Sequence, residues 1–359
     1  MQRLNPGRIS QAQAAHAWRQ SRAPRGSIDA ALLQATLPPA NFRVLGHLDH
    51  EALRWVAASP LMFAAFGDAS GLSVTIGGGE AGFASGSAYE LLLPVACLDD
   101  PALAVPGHGF GSLFLLPCAG EAMRINGTVR EVHGDEIRIA VEECYGHSER
   151  ALTSSQYWAA LLDMLAPRDV RMFAAANRFT ALATVDAFGR VELSPKNDPA
   201  GILARIGRVG ACSADRSSHL ANGFGCVPQP AAAAMLVVLG SAQVIRLSGN
   251  AYISGDQPLW EPFVFQDETS ALVAVIEQAA AEVGESTTLL RLNRRADTAP
   301  SNACEVAKRL VEHIALKREG CVGAELASAA VSVLGVSDLL RRGLESDHCP
   351  YWLAKGAES

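Results

Sequence analysis

The chain has 359 residues, 49% apolar and 19% charged, and its 30 basic and 37 acidic side chains leave a formal charge of −7. This is globular usage and excludes wholesale disorder, collagen and coiled coil. The acidic balance leaves no footprint for nucleic acid, and no apolar run of about 18 residues is available to span a bilayer, so neither is expected as a partner.

Residues 1–28 hold Arg3, Arg8, Arg19, Arg22 and Arg25 and no acid, so the rest carries −7 − 5 = −12. An Arg-rich, acid-free start resembles a transit peptide, but no apolar core of a secretory signal follows. The expectation is an N-terminal arm, residues 1–44, on a cytoplasmic protein. Eight cysteines are scattered, none in a C-x-x-C pair and the closest two 14 apart. They form neither a disulfide framework nor a metal site, and reduced core thiols are expected.

From residue 45 the chain reads as one unit written twice. Residues 57–71 (AASPLMFAAFGDASG) and 175–189 (AANRFTALATVDAFG) align at an offset of 118. Residues 113–127 (LFLLPCAGEAMRING) and 235–249 (MLVVLGSAQVIRLSG) align at 122, placing Arg124 on Arg246 and Gly127 on Gly249. Two blocks in one order at nearly one offset point to duplication. Each copy opens with a short helix, Glu51–Ala58 or Asp169–Ala176, followed by an apolar strand, an Asp-Ala-x-Gly turn and a second strand.

Alternation marks the later strands. Met123, Ile125 and Val129 face one way, and Arg124, Asn126 and Thr128 the other; Ile137, Ile139 and Val141 alternate likewise. In copy two Ile245, Leu247 and Ile253 oppose Arg246, Ser248 and Asn250. Period two over short strands with turn signals reads as an antiparallel barrel. Helices are expected to close the copies at about 154–165 and 269–283, and residues 303–345 read as two or three further helices. The fold class is therefore mainly β with helices (α+β). Its domains are the arm, copy one over 45–166, copy two over 167–298 and a C-terminal extension over 299–359.

On the strand after the second turn, Glu192, Ser194 and Lys196 share one face. A hydroxyl and an ammonium two residues apart can both reach one phosphate. About twenty residues on, Arg216, Ser217, Ser218 and His219 add further donors, and the set makes a plausible anion cradle. Gly77-Gly-Gly-Glu-Ala-Gly82 spells G-x-G-x-x-G but leads to Gly and Ser and then a strand, so it reads as a loop between strands.

These motifs resemble the FMN-binding split barrels related to pyridoxamine 5'-phosphate oxidase. The likeness rests on Leu48–Gly71, on Ser194-Pro195-Lys196, on Met123-Arg124-Ile125-Asn126-Gly127, and on Val141–Ala151 running through His147 to Trp158. It covers roughly residues 45–295. Where copy two has Ser194-Pro195-Lys196, copy one has Ile76-Gly77-Gly78; where copy one has His147 and Trp158, copy two has neither.

The resemblance implies two barrels packed as an intramolecular pseudo-dimer with one composite site. Ser194, Lys196, Arg216, Ser217 and Ser218 would hold the FMN phosphate, and Arg124, Asn126 and Trp158 would wall the ring. His147 would stand nearest it as the candidate catalytic residue. The implied activity is that of an FMN-dependent oxidoreductase acting on a small molecule. His147 and His219 also admit haem, as in a haem-using or haem-degrading split barrel. A non-catalytic binding protein with degenerate sites is the third reading. Further association of the fused unit into oligomers stays open.

Overall fold

The computed structural model describes residues 44–116, 122–147, 169–177, 179–186, 188–197, 204–206, 210–213, 231–238, 241–254 and 273–293. The N-terminal arm, the helix expected at about 154–165 and the C-terminal helices fall outside them, as do Trp158, Arg216, Ser217, Ser218 and His219.

The first half begins with helix α1 (His50–Ala58). Asp49 caps it by accepting from the Ala52 amide at 2.9 Å, and Ala52, Trp55 and Val56 make its buried face. That i, i+3, i+4 spacing is the stripe a one-sided helix needs. Seven strands follow: β1 (Leu61–Asp68), β2 (Gly71–Gly78), β3 (Ser85–Ser87), β4 (Glu90–Pro94), β5 (Gly109–Leu115), β6 (Ala122–His133) and β7 (Glu136–His147). The second half begins with α2 (Val170–Ala176), capped by Asp169. It continues through β8 (Phe179–Val185), β9 (Val191–Asn197), β10 (Ala204–Ile206), β11 (Gly210–Ser213), β12 (Ala231–Val237), β13 (Gln243–Ser254) and β14 (Val273–Glu285) to α3 (Thr287–Asn293).

The strands form two seven-stranded antiparallel sheets, ordered β2-β1-β5-β6-β7-β4-β3 and β9-β8-β12-β13-β14-β11-β10. With β8 matched to β1 and β12 to β5, the order is the same. The register agrees too. Ala64 pairs with Ser112 and Ser112 with Ile125, while Leu182 pairs with Ala234 and Ala234 with Leu247. Those pairs carry the two sequence offsets, 118 and 122, into hydrogen-bonded ladders.

Both long hairpins slip register at one matching place, Asn126/Gly127 in the first sheet and Ser248/Asn250 in the second, and the first slips again at Val129/Glu131. Each of the two matching slips has a glycine for a steric reason. A Cβ on Gly127 would lie 2.0 Å from the Ala140 carbonyl oxygen, and one on Gly249 would lie 2.2 Å from that of Glu277.

Three apolar clusters result. One lies within the first half, built from Trp55, Phe66, Phe110, Phe114, Met123, Ile125, Ile137 and Ile139. A smaller one lies within the second, around Phe173, Leu182, Leu236, Ile245 and Leu247. The third joins the halves: Leu61, Phe63, Val74, Ile76 and Leu113 pack against Phe179, Ala181, Leu193, Met235 and Val244. Strands β1, β2 and β5 are thus buried on both faces. Among the described residues no helix is long and apolar enough to cross a membrane.

Two expectations are corrected. The segment expected as a helix at about 269–283 is strand β14, which pairs with β13 from Ser254↔Val273 to Gln243↔Glu285. Its Ala279–Glu282 stretch favours helix by propensity, but a ladder with β13 on both sides of the register slip overrides a preference of a few tenths of a kcal/mol per residue. The second correction concerns the Ser-Pro-Lys strand. Asp68 pairs with Gly71, whereas the Asp186 amide donates to the Arg190 carbonyl, so the second turn is one residue longer. Phe63 then faces Ile76 as Ala181 faces Pro195. Ser194 therefore corresponds to Thr75, and Lys196 to Gly77 rather than Gly78.

Candidate functional site

The seam between the halves carries the polar groups. Gly109 and Gly111 bring β5 against the backbone of β9: a Cβ on Gly109 would lie 2.4 Å from the Gly189 carbonyl oxygen. That approach sets β9 within reach of β6. Arg124, on the β6 face turned away from the first core, extends into the second half and is 0% exposed. Its Nη1 donates to the Glu192 carboxylate and, at 2.7 Å, to the Tyr145 hydroxyl; Nη2 donates to Ser194 Oγ at 3.1 Å. The guanidinium also lies 5.2 Å from the centre of the Tyr145 ring. Burial pushes the Tyr145 phenol above its ordinary range, more than the nearby Arg124 lowers it, so the hydroxyl stays protonated.

Sequence reasoning placed Arg124, Asn126, Ser194 and Lys196 in one composite site. The structure brings Arg124 and Ser194 into contact across the seam, and places Lys196, 3% exposed, two residues along the same strand. Asn126 is 6% exposed and donates from Nδ2 to Glu143 Oε2 at 3.1 Å. His147 ends β7 opposite Ala122.

Three participants were missed. Glu192 was visible on the face of Ser194 and Lys196, but its partner sits 68 residues earlier in the other half. A fully buried arginine needs a counter-charge, and that requirement could have singled Glu192 out. Tyr145 and Glu143 had alternation as their only signal. The β7 residue opposite the slip, Glu142, breaks that alternation and turns Cys144 toward the first core.

Beside the ion pair a cleft of about 210 Å³ opens between the halves. Asn126, Glu142 and Glu143 line it from the first half, and Thr184, Asp186, Arg190 and Glu192 from the second. Glu142 accepts from Thr128 Oγ1 at 2.7 Å, and Asp186 from Arg190 Nε at 2.7 Å.

The resemblance to flavin-binding barrels implies FMN; of the residues it assigns to the phosphate, Ser194 and Lys196 are described, and the surroundings of Ser194 do not fit that role. Ser194 is committed to Arg124, and the Glu192 carboxylate stands where the cradle would have to accept a dianion. A phosphate there would compete with Glu192 for Arg124 and stand beside a like charge.

No family model and no curated protein matches the chain. Among solved structures, the chain is similar to two crystal structures of tagged HupZ from group A Streptococcus. A histidine-to-alanine variant aligns at 15% identity over 33% of this chain and 100% of that one, with a TM-score of 0.26. The other aligns at 16% identity over 30% and 84%, with a TM-score of 0.24. Likenesses of this size bear on neither ligand nor activity.

Proposed function

We propose that the chain is a tandem split-barrel binding protein. Its two barrels form an intramolecular pseudo-dimer, hold a small molecule in the seam between them, and have lost the flavin phosphate site. The observation that carries this reading is the buried contact of Arg124 with Glu192 and Ser194, which sets a carboxylate beside the serine that would hold a phosphate. The shared strand order and the common apolar face support the pseudo-dimer.

The test is an absorption spectrum of the purified full-length protein, recorded before and after incubation with FMN or haem and desalting. No retained flavin bands are expected. Retention of about one FMN per chain would overturn the reading and return the seam to oxidoreductase chemistry. A Soret band at about one haem per chain would overturn it in favour of the haem-binding reading.

A further inference from the structure

The seam cleft is built in pairs. In each half a carboxylate sits directly across a strand pair from a neutral oxygen: Glu143 opposite Asn126, and Glu192 opposite Thr184. Directly opposed residues project from the same face with Cβ atoms about 5 Å apart.

Both neutral oxygens are unusual. Asn126 Oδ1 and Thr184 Oγ1 are buried and make no hydrogen bond among the described residues, on side chains 6% and 1% exposed. Leaving a buried polar atom unmatched is costly, because the group has given up its hydrogen bonds to water and gained none. A folded chain tolerates two such atoms in one cleft when something else supplies the donors.

Charge decides what that something is. Four carboxylates (Glu142, Glu143, Asp186 and Glu192) against Arg190 give the lining a formal −4 + 1 = −3, and Arg124 behind it brings this to −2. An anion is excluded. Among the described residues no three Asp, Glu, His or Cys side chains are grouped so as to hold a metal ion. An organic ammonium remains. It supplies three N–H donors and a positive charge to a site rich in acceptors.

We infer that the cleft binds a small organic amine in its ammonium form, with Asn126 Oδ1 and Thr184 Oγ1 accepting from it and Glu143 supplying the main charge. This rests on the binding-protein reading and names the ligand class. The cleft holds roughly seven water volumes at about 30 Å³ each, which suits a short aliphatic amine rather than a large cation.

Titration calorimetry of the full chain at low salt, with 1,4-diaminobutane as probe and 1,4-butanediol as its neutral match, tests it. The diamine is expected to bind at least about tenfold more tightly than the diol. Glu143→Gln should weaken it about tenfold, and Thr184→Val, which keeps the side-chain shape, about fivefold. Equal binding of diamine and diol, no binding of either, or unchanged affinity in both variants would overturn the inference. FMN retention is scored separately: if FMN and diamine both fail to bind, the amine inference falls and the loss of the flavin site stands.

Discussion

The two edges of the seam have matching strand order and register and are finished differently. On one, Arg124 of β6 meets Glu192 and Ser194 of β9. On the other, the equivalent strands are β13 and β2, and Arg246 has as counterparts of that pair Ser73 and Thr75, neither of them charged. Thr75 instead accepts from the Asp100 amide at 3.1 Å, within its own half. Arg246 is only half-buried and lies opposite the exposed Glu282. The second edge is tied by another device. Asp99 of the first half accepts from the hydroxyls of Ser286, Thr287 and Thr288 and from the Thr288 amide, and so caps α3 of the second half. The difference teaches that one fold position can host a buried ion pair or a pair of uncharged hydroxyls, with single side chains choosing between them.

The largest effect that would break this comparison is at Glu192. Glu192→Ala leaves Arg124 buried without its carboxylate and should cost about 3–5 kcal/mol in denaturant unfolding, whereas Arg246→Met should stay within about 1 kcal/mol. The double change Arg124→Met with Glu192→Leu should recover most of the loss, because a packed apolar pair replaces a buried ion pair at little cost. Similar losses at the two arginines would show that the edges are not specialised.

Next come the register-slip glycines. Gly127→Ala and Gly249→Ala each force a methyl onto a carbonyl oxygen and should each lower stability by about 3 kcal/mol, read as matched drops in unfolding midpoint. Unequal losses would mean that the two hairpins are not equivalent. The smallest effect is at the second edge. Asp99→Ala should cost about 1–2 kcal/mol by thermal melting, the range for losing a helix cap, and should leave the Arg124 cluster unchanged.

Much of the fold was legible because strands expose their pattern. Met123, Ile125, Ile137 and Ile139 alternate as the first core requires, and both short helices lie where their segments were expected. What failed did so for physical reasons. Ala279–Glu282 has helical propensity, and only pairing with the preceding strand makes it β. The extra turn residue after Asp186 moved Lys196 off Gly78, a slip that a short motif cannot reveal without a ladder to count along. At the site, Arg124 and Ser194 meet across the seam, whereas the resemblance gave Ser194 a phosphate and Arg124 a flavin ring as partner. The carboxylate that occupies Arg124 lay in plain view on the same strand face, and only its burial across the seam gives it that role. Thr184 carries no motif at all; its interest comes from a hydroxyl left unmatched.

The cap on α3 also sets an order of events. A seven-residue helix is too short to persist alone in water. Its capping carboxylate lies 187 residues upstream of Ser286. During synthesis α3 therefore waits until the first half has folded and the second has docked on it. Its amide protons become a clock for the union of the halves, slow to exchange only after they meet, even when each sheet is already formed.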